Sequence, residues 1–213
     1  MIRNGPVGLG SKLDREEARQ TLGLPLNGPM VGWVGRLSPE KGADVLLTAM
    51  EFADGYDVGV SFLGDGPERM ALEAQEREMV ARDSLLPGQV RFHGIVPEAG
   101  RLLKAFDVLV LSSRTEGTPM ILFEAMDAEV PVVTTRVGGV PDVVTEEEAI
   151  LVPPEEPEAL ARGIRQVLDN LSDAAQRAKR ARRRLRQKFS PERWLDSYEH
   201  LYRTLIRSSR GLD

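Results

Sequence analysis

The chain has 213 residues, a formal net charge of −5 and a hydrophobic fraction of 41%, which is the composition of an ordinary globular protein. It contains no cysteine, which excludes disulfides, thiolate metal sites and a cysteine nucleophile. A sequence pI near 5.3 argues against a general nucleic-acid binder. No apolar run approaches the roughly 20 residues of a membrane span, and no secretory signal is recognisable. We therefore expect a cytoplasmic protein.

Short apolar runs typical of buried strands alternate with helical patterns along the chain. The predicted strands cover 30–35, 58–63, 90–93, 108–112, 131–135 and 150–152. The predicted helices cover about 39–52, 67–83, 98–106, 119–129, 139–146 and 157–170. This alternation predicts an α/β fold, a Rossmann-like doubly wound parallel sheet of about six strands with helices on both faces. We expect one domain over 1–213, with its core in about 1–171 and helices in 172–213.

In such folds ligands bind outside the carboxyl ends of the strands, so the loops after the strands are the candidate sites. In the first loop, "GRLSPEKG", Arg36 projects from the end of a strand and Lys41 falls in the first turn of a helix. The helix dipole disfavours a cation there. An anion held between Arg36, Lys41 and backbone amides would resolve the conflict. The alternative is a solvated lysine offset by Glu40 or Glu51.

The stretch "TEGTPMILFEAM" contains a second candidate anion site. Thr118 is predicted to cap a helix whose first residue is Pro119. The backbone amides of Met120 and Ile121 would then be free to bind an anion.

The same stretch contains two glutamates that call for an explanation. Glu116 precedes the helix, and Glu124 lies about two turns inside it among apolar residues. A buried carboxylate is costly without a partner. Both glutamates can face one cleft, where each would hydrogen-bond a ligand. The alternatives are an exposed loop acid at Glu116 and an internal arginine as the partner of Glu124.

Other motifs exclude some kinds of chemistry. The loop "GDGPE" lacks the third glycine of the dinucleotide fingerprint, so we reject a nicotinamide enzyme. There is no D-x-D motif, and His93 and His200 have no metal-ligand spacing. We therefore expect no metal and no cofactor, and we expect His93 to be a structural residue at the end of a strand.

Eight of the twelve residues in "RAKRARRRLRQK" (177–188) are basic. On a helix they surround a thin apolar stripe formed by Ala178, Ala181, Leu185 and Phe189. One interpretation is a solvated helix that packs on acidic neighbours such as "EEPE" (155–158). The other is contact with an anionic membrane surface, which would place the protein peripherally at the inner membrane face.

The motifs together resemble one family. "GRLSPEKG", "GDGPE", "VRFHGIV", "DVLVLSSRTEGTPMILFEAM", "PVVTTRVGGVPDVV" and "LVPPEEPEALA" occur in the order seen in family-four retaining glycosyltransferases, also called glycosyl transferases group 1. The resemblance implies one lobe of a GT-B fold, in which two Rossmann-like lobes enclose a cleft. The lobe seen here would be the C-terminal one, which holds the nucleotide-sugar donor. The N-terminal acceptor lobe would be a missing partner.

The resemblance also implies roles for individual residues. Arg36 and Lys41 would grip the diphosphate of a UDP- or GDP-linked sugar, and Glu116 would hydrogen-bond the sugar hydroxyls. Glu124 would accept hydrogen bonds from the ribose. The remaining donor contacts would come from backbone around Gly35, Val96, Gly117, Met120 and Ile121. Of these residues, Glu116, Arg36 and Lys41 would be the catalytic ones.

Two positions depart from the family's usual pattern. Asp127 and Glu129 stand where alanine and glycine are usual. The favoured function is the donor lobe of a retaining hexosyltransferase that is inactive alone. A non-catalytic nucleotide-sugar binding module stays open, as does half of a sugar-nucleotide epimerase. The epimerase would need clustered carboxylates and histidines for proton abstraction, and the sequence has none.

Overall fold

In this computed structural model, residues 10–52, 57–190, 199, 202 and 203 are described. Six strands form one sheet in which every neighbouring pair is parallel. Their order across the sheet is β3-β2-β1-β4-β5-β6. The Rossmann-like fold predicted from the sequence is confirmed. The strands are β1 (Met30–Val34), β2 (Gly59–Leu63), β3 (Val90–Phe92), β4 (Val108–Leu111), β5 (Val132–Thr135) and β6 (Ile150–Val152).

Helices cover both faces of the sheet. Those that contribute to one apolar cluster include α2, α3 and α6, and those that contribute to the opposite cluster include α1, α4 and α7. Within β1, Val31 and Trp33 enter the first cluster and Met30 enters the second. Alternate burial of this kind explains why the strands appear as continuous apolar runs. The α-helices are α1 (Arg15–Thr21), α2 (Ala43–Ala49), α3 (Arg69–Ala81), α4 (Met120–Ala128), α5 (Val140–Val143), α6 (Pro157–Asp169) and α7 (Leu171–Lys188).

Two predicted helices are interrupted. The helix expected over 39–52 begins as a 3-10 turn (Pro39–Lys41) and restarts as α2, because Gly42 between them has a left-handed backbone with φ 62°. The helix expected over 98–106 is wrong, since two 3-10 turns replace it, Ala99–Arg101 and Leu103–Ala105. Gly100 favours this outcome because glycine is a poor helix former.

The sequence did not predict helix α1. Its start carries a capping box, in which Asp14 accepts from the Glu17 amide and Glu17 accepts from the Asp14 amide. This capping box is the sequence signal from which the start of α1 could have been predicted. The helix also buries Arg19 completely. The guanidinium of Arg19 donates to four backbone carbonyls and to Asp107, and these partners compensate the buried charge.

The closing part of the chain is helical through α7, as predicted. The helix ends at Lys188 with Phe189 as its C-cap, near the position where the sequence indicated a break. The helix predicted further on lies outside the described residues, apart from Glu199, Tyr202 and Arg203.

Candidate functional site

The strand order places a crevice between β1 and β4. From β1 the chain moves to β2 and β3 on one side of the sheet, and from β4 it moves to β5 and β6 on the other. Loops that leave adjacent strands in opposite directions open a crevice at the carboxyl edge, which is the usual ligand site of such sheets. The loops that flank this crevice carry Arg36, Lys41 and Glu116.

The centre of the crevice is an ion pair between two of the predicted site residues. Lys41 Nζ donates to Glu116 Oε1 over 2.7 Å, although the residues are 75 positions apart in sequence. Ser113 Oγ donates to the same oxygen over 2.7 Å. The Glu116 side chain is only 8% exposed. The alternatives of an exposed loop acid at Glu116 and a lysine offset by nearby acids are therefore wrong.

Arg114 connects the two loops that carry this pair. Its backbone amide donates to Glu40 O over 2.9 Å, and its Nη1 donates to Pro39 O over 2.6 Å. Its guanidinium also binds both oxygens of Asp44, over 2.9 and 2.7 Å. This pairing raises the pKa of the Arg114 guanidinium. Arg114 thus fixes the turn of Lys41 against the loop of Glu116, a role that the sequence did not reveal.

The loop after β5 supports Glu116 from a third direction. Gly139 N donates to Glu116 O over 3.1 Å. Gly138 has φ +49°, and a Cβ there would lie 1.7 Å from the same carbonyl oxygen. Only glycine permits both the left-handed backbone and this close approach.

The start of α4 offers unpaired backbone donors. The amides of Met120 and Ile121 donate to no acceptor in the described ranges. Met120 is 40% exposed, so this end of the helix is open. The predicted capping is wrong in detail, because the N-cap is Pro119 rather than Thr118 and no side chain caps the helix. The site predicted from it remains, since the free amides point outward at the positive end of a helix.

Glu124 is half-buried and receives no recorded hydrogen bond within the described part of the chain. Burial raises the pKa of its carboxyl above the usual range, and the charge of Lys12 opposes this rise. The alternative of an arginine partner is therefore wrong. Its oxygen faces Gly100, where a Cβ would lie 2.4 Å from Oε2. A glycine thus leaves room for this carboxylate.

The other predicted site residues lie around the edge of the crevice. Arg36 is exposed and forms no hydrogen bond or ion pair with its side chain among the residues described. Gly35 donates to Leu63 O over 3.0 Å, at the end of β1. Val96 is partly buried, beside an Ile95 that is 79% exposed. Gly117 is exposed at the start of the turn that leads into α4.

His93 directly follows β3 and is partly buried against β2, as predicted for a structural residue at the end of a strand. Its Nε2 lies 3.3 Å from Ser61 Oγ, and burial lowers the pKa of the imidazole. Within 10–52, 57–190 and the few described residues beyond, no group of three or more metal-ligating side chains occurs. No helix in this described part is long and apolar enough to cross a membrane.

Most arginines of the basic segment 177–188 bind other parts of the protein. In its apolar stripe Ala178, Ala181 and Leu185 are buried, and the partly buried Phe189 packs on Phe123 with ring centroids 5.1 Å apart. The acidic partners are not those at 155–158, which is a correction. Four arginines bind groups in 127–129 and 142–148, namely Arg177, Arg180, Arg182 and Arg184.

Lys179, Arg183 and Arg186 are exposed on one side of α7. Their contact with an anionic membrane surface stays a prediction, which co-sedimentation with anionic vesicles would test.

Comparison with known proteins agrees with this architecture. The family described as glycosyl transferases group 1 matches residues 14–184. The chain belongs to this family. The 2-deoxystreptamine glucosyltransferase of Streptomyces kanamyceticus is 35% identical over 161 residues, which cover 73% of this chain and 40% of that protein. The chain spans about two-fifths of the length of the curated relatives first matched.

Solved structures of group 1 glycosyltransferases and similar proteins share the fold. Sucrose-phosphate synthase from Thermosynechococcus elongatus superposes with a TM-score of 0.81 at 30% identity, over 97% of this chain and 52% of that one. Anabaena HepE, determined with UDP and glucose, superposes with a TM-score of 0.82 at 26% identity, over 96% of this chain and 56% of that one.

Proposed function

We propose that this chain is the donor-binding lobe of a retaining glycosyltransferase. It would hold a UDP- or GDP-linked sugar for transfer to an acceptor such as a glycan or a lipid. The observation that carries the proposal is the Lys41–Glu116 pair at the crevice between β1 and β4. A structure with UDP and glucose exists for the similar protein HepE, which supports the choice of ligand class.

The diphosphate would bind where positive groups converge. The Arg36 side chain makes no hydrogen bond or ion pair with a described residue, and Lys41 extends from the neighbouring turn. The free amides of Met120 and Ile121 add two donors at the positive end of α4. Together these groups match a ligand that carries two phosphates.

The sugar and the nucleoside would bind on either side of the diphosphate. Glu116 would accept hydrogen bonds from the sugar hydroxyls. Glu124 would accept from the ribose hydroxyls, because an ionised carboxylate is an acceptor and this one has no recorded donor. The backbone around Val96 would contact the base.

We expect the diphosphate to bind without a metal ion. The cations and amides named above would neutralise charge that a divalent ion neutralises in other enzymes. The described residues contain no metal-ligand cluster, and the test of the proposal therefore includes a chelator.

Two alternatives differ in what they require of the crevice. An epimerase needs a proton-abstracting group beside the sugar, and His93 instead contacts Ser61 within the sheet. A non-catalytic binding module would use the same crevice and would differ only in its lack of turnover once a second lobe is supplied.

Calorimetry on the purified chain tests the proposal. UDP or GDP should bind with unchanged affinity after addition of EDTA. Arg36→Ala should weaken binding at least tenfold, because a charge-assisted hydrogen bond contributes about 1.5–3 kcal/mol. Arg162→Ala is the matched control, since Arg162 is an exposed arginine on α6 whose one ion pair with a described residue is the pair with Glu158. Equal affinities for all three proteins would refute the diphosphate site.

A further inference from the structure

We propose that Glu116 makes the crevice select a nucleoside diphosphate that carries a sugar over the free nucleoside diphosphate, and that it thereby promotes product release. This inference rests on the proposed function, because it places the terminal phosphate beside Lys41. It adds a specificity and a step in the reaction cycle that follow from the arrangement around one carboxylate.

The two oxygens of Glu116 have different surroundings. Lys41 Nζ and Ser113 Oγ both donate to Oε1, each over 2.7 Å. No described residue donates to Oε2. In the described part of the chain the only side-chain polar atom buried without a partner is Arg182 Nε. Oε2 is therefore not completely buried and keeps the capacity to accept a hydrogen bond from a ligand in the crevice.

The orientation of the carboxylate is fixed from the buried side. Ser113 is 3% exposed, and its carbonyl accepts from Thr135 Oγ1 over 2.6 Å. The backbone of Ser113, just after β4, is thus fixed against the last residue of β5. Because both donors converge on Oε1, Oε2 points away from them.

In this arrangement two anions, the Glu116 carboxylate and the terminal phosphate of the ligand, share the ammonium group of Lys41. In the structure Lys41 neutralises Glu116, and a bound phosphate would share that ammonium with the carboxylate. A terminal phosphate has a second pKa near 6 and carries additional negative charge at neutral pH. Glu116 repels that charge at short range. A phosphate esterified by a sugar lacks the extra charge.

The sugar adds an attraction to the same oxygen. A hydroxyl that donates to Oε2 forms a charge-assisted hydrogen bond, which is stronger than a neutral one. Repulsion of the free diphosphate and attraction of the sugar therefore act in the same direction. Glu116 discriminates between substrate and product through both effects.

The reaction converts the bound sugar nucleotide, which Glu116 attracts, into the free nucleoside diphosphate, which Glu116 repels. Transfer breaks the bond between the anomeric carbon and the terminal phosphate oxygen, and that oxygen keeps the electron pair. The acceptor oxygen bonds to the anomeric carbon, and its proton passes to water, so that the phosphate keeps the additional charge. The nucleoside diphosphate left behind has an additional charge next to Glu116 and no hydroxyl on Oε2. Its binding is weakened at the moment when it must leave.

The decisive variant is Glu116→Gln, which keeps the shape of the side chain and removes its charge. Binding of UDP and of UDP-glucose is measured by calorimetry for both proteins, with GDP and GDP-mannose as the parallel pair. The wild-type chain should bind the sugar nucleotide more tightly. In Glu116→Gln the free diphosphate should bind about fivefold more tightly or better, and the preference for the sugar nucleotide should fall by at least as much.

Two further variants make the result interpretable. Glu129→Gln is the same substitution at the opposite end of α4, where Glu129 pairs with Arg182, and it should leave the preference unchanged. Ser113→Ala frees the carboxylate without a change in charge. It should weaken UDP-glucose binding and leave UDP binding nearly unchanged, and it serves as the test if Glu116→Gln does not fold.

The outcomes separate this inference from the proposed function. If the wild-type chain binds no nucleotide of either kind, both proposals fail. If it binds both kinds and Glu116→Gln alters their affinities in parallel or not at all, the discrimination fails while the donor site stands. For Ser113→Ala, a parallel loss of affinity for both ligands has the same meaning.

Discussion

At the scale of single residues, the burial of the Glu124 carboxylate opposes stability, and the proposed function gives this residue a binding role. Its carboxylate is half-buried on α4, has no recorded donor and faces the backbone of Gly100. A group with a folded-state pKa above its ordinary value holds protons more firmly in the folded chain than in the unfolded chain. The stability associated with Glu124 is therefore present at low pH and is lost as pH rises through the raised pKa.

Glu124→Gln should consequently raise the thermal midpoint near pH 7 and weaken nucleotide binding about tenfold, since it removes the charged acceptor for the ribose. The gain in thermal midpoint should shrink towards about pH 4, where the wild-type carboxyl is protonated. Thermal unfolding at several pH values and calorimetry with UDP check both effects. A large loss of stability with unchanged affinity would instead make Glu124 a structural residue.

At the scale of elements, Arg114 is the tie between the loops after β1 and β4. It binds the Pro39 and Glu40 carbonyls and the Asp44 carboxylate at the start of α2. Ser112 adds a second link between these loops, since its Oγ donates to Gly42 O over 2.6 Å.

Arg114→Met should lower the free energy of unfolding by about 1–3 kcal/mol and weaken UDP binding, because the Lys41–Glu116 geometry is no longer held. Asp44→Asn should have a smaller effect in the same direction. Denaturant unfolding of both single variants and the double variant measures the coupling. Strict additivity of the two changes would show that the Arg114–Asp44 contact does not connect the loops.

The elements that could be predicted from sequence are those whose pattern is local. The inner strands β1, β2, β4 and β5 appear as apolar runs because both of their faces are buried, whereas the edge strand β3 carries an exposed Arg91. Helix α1 was missed because it has only two turns and buries Arg19, whose carbonyl partners become neighbours only in the folded chain. The same limit applies to the site. The sequence indicates Lys41 and Glu116 separately as candidate site residues. Their pairing could not be predicted, because it depends on β1 lying beside β4.

Asp127 and Glu129, which depart from the family pattern, both form ion pairs between elements of the fold. Glu129 ends α4 with a left-handed backbone, φ 55°, where glycine is usual in the family. Its carboxylate accepts from Arg182, and Asp127 pairs with Lys12 over 3.1 Å. These acids fasten α7 and the segment before α1 to α4, at the end of the helix opposite Glu116.

At the scale of the whole molecule, the proposed function makes the chain one side of a cleft. The open carboxyl edge of the sheet would then leave the proposed diphosphate site in contact with water. Sugar transfer requires both reactants in near-attack geometry with water excluded. We therefore expect the 213-residue chain to bind a donor without transferring its sugar.

Release of UDP from UDP-glucose measures this expectation. The chain alone should release UDP no faster than buffer. The same chain joined to the N-terminal lobe of a family relative should release it in the presence of that relative's acceptor. Glu116→Gln in the joined protein controls for contaminating activity. Efficient transfer by the chain alone would contradict the expectation.

The contact between Gly138 and Glu116 has an evolutionary consequence. The β5 loop holds residue 116 by its main-chain carbonyl, through Gly139 N–H and the close approach of Gly138. The identity of the side chain at 116 plays no part in that support. Selection can therefore exchange the side chain at 116 while the loop keeps its path. If residue 116 contacts the sugar as proposed, single substitutions there would change the donor preference without a change in the loop.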